Sequence, residues 1–402
     1  MKAIAKNILK RLGFEVRRTE AWSYVQLPAS RHPARGTVLL AFVLEPFLLQ
    51  QGEQLSTRHT NVVESLLIAE VLCHMGYAVD VIDYHDKAFV PKKDYSILIS
   101  SRVCMARLAA LVGPGCLKIV YVTVSHWLYN NSAVLARCRE VLERRKVALS
   151  SYKQIEENYA IESADFAIFL ASNDFSLSSY QYAGKPFARV PLCTQRTYNW
   201  PEGKDLDALR RRFIWLGSQG FVHKGLDLVL EAFAAMPDYH LTVCGPIHKE
   251  PDFDRAFAKE LYRTANIKTV GFIDVSSQEF VDLAAEHVGL VYPSCAEGTS
   301  GGVLTCMQAG LIPVVTYGSG IDVSGGRGVV IEALTVEAVR AAVEQTAAMT
   351  EEELQVMARR AWQSARDNHT RERFSEEFRK AVELALTCHT PAKIIGSRIP
   401  NT

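Results

Sequence analysis

The sequence predicts an α/β protein of two doubly wound domains that face each other across a cleft. Three observations carry this. Apolar runs of strand length alternate with segments of helical period along most of the chain. The runs are apolar on nearly every residue, so both faces of each strand are buried, as in a parallel sheet covered by helices. The alternation stops once, over 191–212, where TYNWPEGKDLDALRRR is polar and has no apolar period, and then it restarts. Two β-α-β series joined by one linker make two such domains.

The elements follow in order. Residues 37–43 read as a strand. A helix over 61–75 carries Val62, Leu66, Ala69, Leu72 and Cys73 on one spacing, and Gly76 ends it. Strands are expected over 78–84, 95–100, 118–124 and 167–171. After the linker come a strand over 213–216, a helix over 225–236, and strands over 240–244, 269–271 and 288–292. A helix over 302–309 and a strand over 312–316 follow. A last helical stretch runs from 350 to about 386, with a weak point at 367–370. This order places one domain at 1–200 and a second at 201–370, with 371–402 crossing back onto the first.

Composition bounds the function. Of 402 residues, 48% are hydrophobic and 22% charged, enough apolar material for real cores. Lys+Arg number 45 and Asp+Glu 44, so the net charge is 45 − 44 = +1, and no global field attracts nucleic acid. The 9 cysteines are odd in number and form no C-x-x-C, which fits free thiols in a reducing cytoplasm. No apolar run approaches the ~18 residues a membrane span needs. The N-terminus sets Ile4, Ile8 and Leu12 on one helical stripe among Lys2, Lys6, Lys10, Arg11, Arg17 and Arg18. Such a stripe suits either the surface of an anionic membrane, on the inner face, or packing on the protein itself.

Ligands of doubly wound sheets bind at the carboxyl ends of the strands, so the strand-to-helix loops are where chemistry is expected. In FIWLGSQGFVHKGLDLVLEAF, a strand ends at Leu216. Gly217 and Gly220 free the backbone to approach a ligand, and Lys224 stands at a helix start. In VYPSCAEGTSGGVLTCMQAGLIPVV, Glu297 lies in the loop, and Ser300, Gly301 and Gly302 precede a helix. One loop suits a phosphate, and the other adds a carboxylate that accepts hydrogen bonds from hydroxyls. Together they suit a nucleotide sugar.

The C-terminal half resembles the GT-B-fold glycosyltransferases, in particular the retaining family four (glycosyl transferases group 1). Their donor domain has a G-R-x-x-x-x-K-G loop and a later segment reading roughly EGFGLPxLEAMAxGxPVV. This sequence has GSQGFVHKG and EGTSGGVLTCMQAGLIPVV. The resemblance implies two Rossmann-like domains and transfer from a nucleotide-diphospho sugar, without a metal or other cofactor, to a glycan or lipid-linked acceptor. Lys224 matches the lysine on the donor phosphate. Glu297 matches the first Glu of E-x7-E, on the donor sugar. Gly301, Gly302 and Val303 match the backbone that meets the diphosphate. Two positions depart from the pattern. Ser218, next to Gly217, stands in place of the phosphate-binding arginine, and Thr305 replaces the second Glu. In the first half, His126 after IVYVTVS resembles the strand-end histidine that faces donor and acceptor. Thr60 or Asn61 is the candidate cap of the helix that lines the cleft, and Asn61 is also a candidate contact of donor or acceptor. Glu64, three residues on, reads as its capping-box partner.

Other classes leave traces. Asp205-Leu-Asp207 and Asp252-Phe-Asp254 match D-x-D, but both lie in polar stretches before helices, where capping explains them. Gly298-Thr-Ser300-Gly-Gly302 fits a nucleophile elbow, with Asp322 and His369 in serine-hydrolase order. Cys295, Ala296 and Glu297 lie between it and its strand, where an elbow follows immediately. The missing arginine and glutamate leave room for an epimerase-like or weakened binding protein on the same fold.

Overall fold

The computed structural model describes residues 24–49 and 60–389. The basic N-terminal stripe lies outside the described residues.

The first sheet has seven strands: β1 (Val25–Leu27), β2 (Thr37–Phe42), β3 (Ala78–Asp83), β4 (Ile97–Ser101), β5 (Leu117–Val122), β6 (Phe166–Leu170) and β7 (Phe187–Val190). Their spatial order is β1-β3-β2-β4-β5-β6-β7. All pairings are parallel except β1 on β3. Helices α1 (Thr60–His74), α2 (Met105–Ala109), α3 (Trp127–Arg145) and α4 (Phe175–Ser178) connect them. The central strands β2 and β4 are buried almost throughout, as continuous apolar runs demand. The edge strands β1 and β7 are three and four residues long and partly exposed. They carry too little apolar signal to be read from sequence.

The second sheet contains β8 (Arg212–Leu216), β9 (His240–Cys244), β10 (Ile267–Gly271), β11 (Gly289–Tyr292), β12 (Ile312–Val315) and β13 (Val329–Val330). It is all parallel, in the order β10-β9-β8-β11-β12-β13. Around it lie α5 (Leu206–Leu209), α6 (Leu226–Ala234), α7 (Pro251–Ala256), α8 (Ala258–Arg263), α9 (Gln278–Ala285), α10 (Gly301–Gln308), α11 (Val336–Ala347) and α12 (Glu351–Asn368). Both sheets are doubly wound, as expected.

The chain crosses between the sheets twice. The polar linker is held down, since Trp362 Nε1 donates to the Tyr198 carbonyl at 3.2 Å. At the weak point in the last helical stretch, His369 ends α12, and its carbonyl accepts from Thr194 Oγ1 at 2.9 Å. Helix α13 (Arg371–Cys388) then packs on α1 and β7 of the first sheet.

Two capping expectations are corrected. Asn61 lies inside α1, so Glu64 is not its capping partner. Glu64 is fully buried and accepts from the Tyr121 hydroxyl at 2.9 Å. Asp205 does cap α5, accepting from Ala208 N at 2.9 Å. Asp252 instead ties the second domain to the first, accepting from Ser150 N at 2.7 Å and Tyr152 Oη at 3.2 Å. Its neighbour Asp254 accepts from the Tyr262 hydroxyl at 2.7 Å.

Candidate functional site

The carboxyl ends of β8, β9, β10 and β11 open onto a cavity of about 500 Å³ at the junction of the two sheets. Leu216, Gly217, Ser218, Lys224, Glu297, Ser300, Gly301, Gly302 and Thr305 line it, so the structure brings most of the candidate residues to one place. Thr60 and Gln195 close it from the other side.

The chemistry centres on a buried ion pair. Lys224, 7% exposed, donates from Nζ to Glu297 and to the Tyr292 hydroxyl, the latter at 2.9 Å. Burial opposes the charge on Lys224, but Glu297 and Tyr292 outweigh it and hold the ammonium protonated. Burial likewise raises the Glu297 carboxyl. Lys224 and His223 outweigh burial and pull it down to about 2. His223 itself is pushed down to about 4, first by burial and against the pull of Glu297, so it is neutral near pH 7. The pair pins the β8 loop to the β11 loop.

The helix starts differ from expectation. Lys224 sits two residues before α6, and the αL conformation of Gly225 precedes the helix. The Leu226 N–H bonds to the Phe221 carbonyl at 2.9 Å, so this helix end is partly closed. Helix α10 is the open one. Ser300 is its N-cap residue but makes no side-chain cap. The first amides of a helix lack intrahelical acceptors, so those of Gly301 to Val303 face the cavity end with a partial positive charge. The Val303 side chain points into the core and is fully buried. Thr305 donates to the Gly301 carbonyl at 2.8 Å. Ser218 is exposed at the rim.

Two candidates lie elsewhere. Asn61 lines a second cavity of about 270 Å³ that shares Thr60 and Gly301 with the first. His126 lines neither. It is 6% exposed, begins α3, and accepts on Nδ1 from Leu128 N at 3.4 Å. Its Nε2 meets the Tyr182 hydroxyl at 3.1 Å, and rings of Tyr180 and Tyr182 pack edge-on to it. Burial lowers its pKa against the pull of Glu162, so this is a neutral, packed, capping imidazole.

The hydrolase trace dissolves as well. His369 Nδ1 is spent on the Leu192 carbonyl at 2.8 Å, and Asp322 pairs with Arg327 at 2.7 Å. Among the described residues no group of three His, Cys, Asp or Glu side chains is placed to hold a metal ion.

The sequence missed the far wall. Pro246, His248 and Lys249 follow β9, and Phe272, Ile273 and Val275 follow β10. Phe272 is 61% exposed, which is unusual for a phenylalanine beside a cavity. The strand-end rule points to these loops, but neither carries a glycine-rich or charged pattern that marks it.

The domains close around the site. A Cβ on Gly298 would lie 2.1 Å from the Thr123 carbonyl, so only glycine allows the β11 loop to touch the end of β5. Thr299 Oγ1 donates to the Leu170 carbonyl at 3.1 Å. Behind the cavity, Arg137 of α3 and Asp227 of α6 form a buried pair at 2.6 Å, joined by Arg144 at 2.8 Å.

Comparison with known proteins gives the same picture. Residues 210–348 match the family model described as Glycosyl transferases group 1. No curated sequence matches the chain. Among solved structures, sucrose-phosphate synthase from Thermosynechococcus elongatus superposes with a TM-score of 0.60 at 13% identity, over 88% of this chain and 100% of that one. Anabaena HepE, solved with UDP and glucose, gives 0.52 at 11% identity, over 87% of this chain and 100% of HepE. TarM of S. aureus gives 0.52 at 12% identity over 75% of this chain, which spans only 57% of TarM. At such identities the likeness concerns the fold. This chain has the GT-B architecture of two Rossmann-like domains, and its residues 210–348 match the model of the Glycosyl transferases group 1 family.

Proposed function

We propose that this protein is a glycosyltransferase that moves a hexosyl group from a nucleotide-diphospho sugar to a hydroxyl of a glycan or lipid-linked acceptor. The observation that carries this is the convergence, in one cavity, of the uncapped start of α10, the Lys224 ammonium and the Glu297 carboxylate. In this reading residues 201–370 bind the donor, and residues 1–200 with 371–402 bind the acceptor.

The parts divide the donor among them. The amides of Gly301 to Val303, with Lys224, hold the diphosphate, and Gly217 and Ser218 border it. Glu297 and Ser300 take hydroxyls of the sugar, and Thr305 with Gly302 borders the ribose. The slot between Pro246 and Phe272 suits a flat base. Asn61, across the shared wall at Gly301, meets sugar or acceptor.

During transfer the bond from the anomeric carbon to the diphosphate oxygen breaks. The acceptor oxygen bonds to that carbon, and its proton passes to the leaving diphosphate. Negative charge grows on the diphosphate, where the α10 amides and Lys224 are already in place. Retention at the anomeric carbon is supported by the resemblance of the second half to retaining enzymes. Independence of metal is supported by the two D-x-D pairs, whose carboxylates serve a helix cap and a domain contact. His126 acts from behind, fixing the start of α3.

The reading is tested by thermal-shift measurement against a panel of nucleotide sugars and free nucleoside diphosphates. A rise in melting temperature with at least one of them is expected. No shift with any member contradicts it.

A further inference from the structure

The second cavity holds an arginine that no described residue answers. Arg102 follows β4 directly, at the carboxyl end of the first sheet, where a ligand of that sheet would sit. Among the described residues it makes no side-chain hydrogen bond and no ion pair. The nearest influences on it are Tyr180, Tyr84 and the Glu156 carboxylate, which acts only at a distance. Burial disfavours its charge more than these groups restore it. A guanidinium with five donors and no acceptor, facing a cavity of about 270 Å³, is an incomplete arrangement.

A second cation lies within electrostatic reach of it. Lys153 also has no bonded carboxylate among the described residues; the charges within its electrostatic reach are Lys224, Glu297, Glu250 and Arg102. Its position is built. Asn130 Nδ2 donates to the Lys153 carbonyl at 2.8 Å, and Asn131 bonds both N–H and carbonyl of Ile155, each at 2.8 Å. Its stem lies against Gly220, where a Cβ would come 2.3 Å from Lys153 Cγ and where φ is +93°. The remaining carboxyl in the cavity wall, Glu64, is buried and accepts from the Tyr121 hydroxyl, and it makes no hydrogen bond or ion pair with Arg102.

We propose that the acceptor carries an oxyanion, a phosphate monoester or a carboxylate, and that Arg102 binds it in the second cavity, with Lys153 acting from electrostatic range. This rests on the transferase reading and adds the substrate class. The shared residues Thr60 and Gly301 place the anion one cavity away from the donor, as an acceptor group distant from the reacting hydroxyl requires.

The test uses full-length protein with the donor cavity saturated by UDP. Calorimetric titrations compare matched probes: glucose, N-acetylglucosamine and glycerol against their phosphate monoesters, and glucose against glucuronate. At least one anionic member is expected to bind tenfold or more tightly than its neutral partner. The phosphate and uronate arms tell which oxyanion is taken. Arg102→Gln is expected to abolish the preference, and Arg102→Lys to keep part of it, with circular dichroism confirming the fold of each. No preference in the wild type, or a preference unchanged in Arg102→Gln, overturns the proposal. So does a loss of UDP affinity in Arg102→Gln as large as the loss of anion affinity, which would assign the arginine to the donor. Failure of the wild type to bind UDP or any other nucleoside diphosphate overturns the transferase reading itself, and this inference with it.

Discussion

Lys224 and Glu297, 73 positions apart in sequence, form one buried ion pair that joins the two strand-end loops of the second domain. Each is held charged by the other against the cost of burial. A donor arriving with its own negative diphosphate meets a lysine that is already in place and already protonated. The carboxylate beside it is free to turn its second oxygen to sugar hydroxyls.

Glu64 makes the first prediction, on pH. Its carboxyl is raised by burial to about 7 from 4.5, against the pull of Tyr121 and Thr60. The folded state therefore prefers the protonated form. The stability this gives is complete below about 4.5 and is lost as pH rises towards 7. Glu64→Gln mimics the protonated group at every pH. It is expected to match the wild type near pH 4.5 and to be more stable at pH 8, by up to about 3 kcal/mol. Denaturant midpoints measured across this range check it, and a difference independent of pH contradicts it.

Asp227 makes the second, on the seam between domains. It is fully buried and receives Arg137, which is 1% exposed, and Arg144. Asp227→Ala strands a buried guanidinium and should cost about 3–5 kcal/mol of stability. Replacing both partners, Asp227→Leu with Arg137→Met, should recover most of that. Chemical denaturation of the single and double variants decides; a double variant no better than the single contradicts the account.

Metal dependence is the third. The carboxylates of Asp205 and Asp252 are engaged with backbone amides of the protein itself. Transfer activity is expected to survive EDTA unchanged. Loss of activity on chelation, restored by Mn²⁺ or Mg²⁺, contradicts this.

The parts legible in the sequence share a physical cause. The buried strands β2, β4, β8 and β11 are continuous apolar runs, and the Lys224 and Glu297 loops are polar interruptions directly after such runs. The kink between α12 and α13 showed at Asp367–Thr370 because Asn368, His369 and Thr370 are weak helix formers. Edge strands β1, β7 and β13 stayed hidden because short, half-exposed strands have no continuous apolar pattern. Glu64 was misread because the spacing of a capping box is also the spacing of two residues on one helix face. Only the fold reveals that Tyr121, from β5, lies opposite it. The strand-end position of His126 was legible, but the tyrosines that occupy its ring come from 180 and 182 and could not be seen from it. Arg102 carries no motif at all; its interest lies in the partners it lacks among the described residues.

The most direct test of the account is the affinity of the Lys224→Ala variant for the nucleoside diphosphate that stabilises the wild type. A charge-assisted phosphate contact contributes about 1.5–3 kcal/mol, so the dissociation constant should rise at least tenfold, with turnover of the sugar donor falling at least as much. Lys380→Ala, on α13 and lining neither cavity, serves as the comparison for loss of a lysine outside the ion pair. Titration calorimetry on the folded variants gives the answer. A tenfold or greater loss confined to Lys224→Ala is the predicted result, and an unchanged affinity in that variant would contradict the donor site described here.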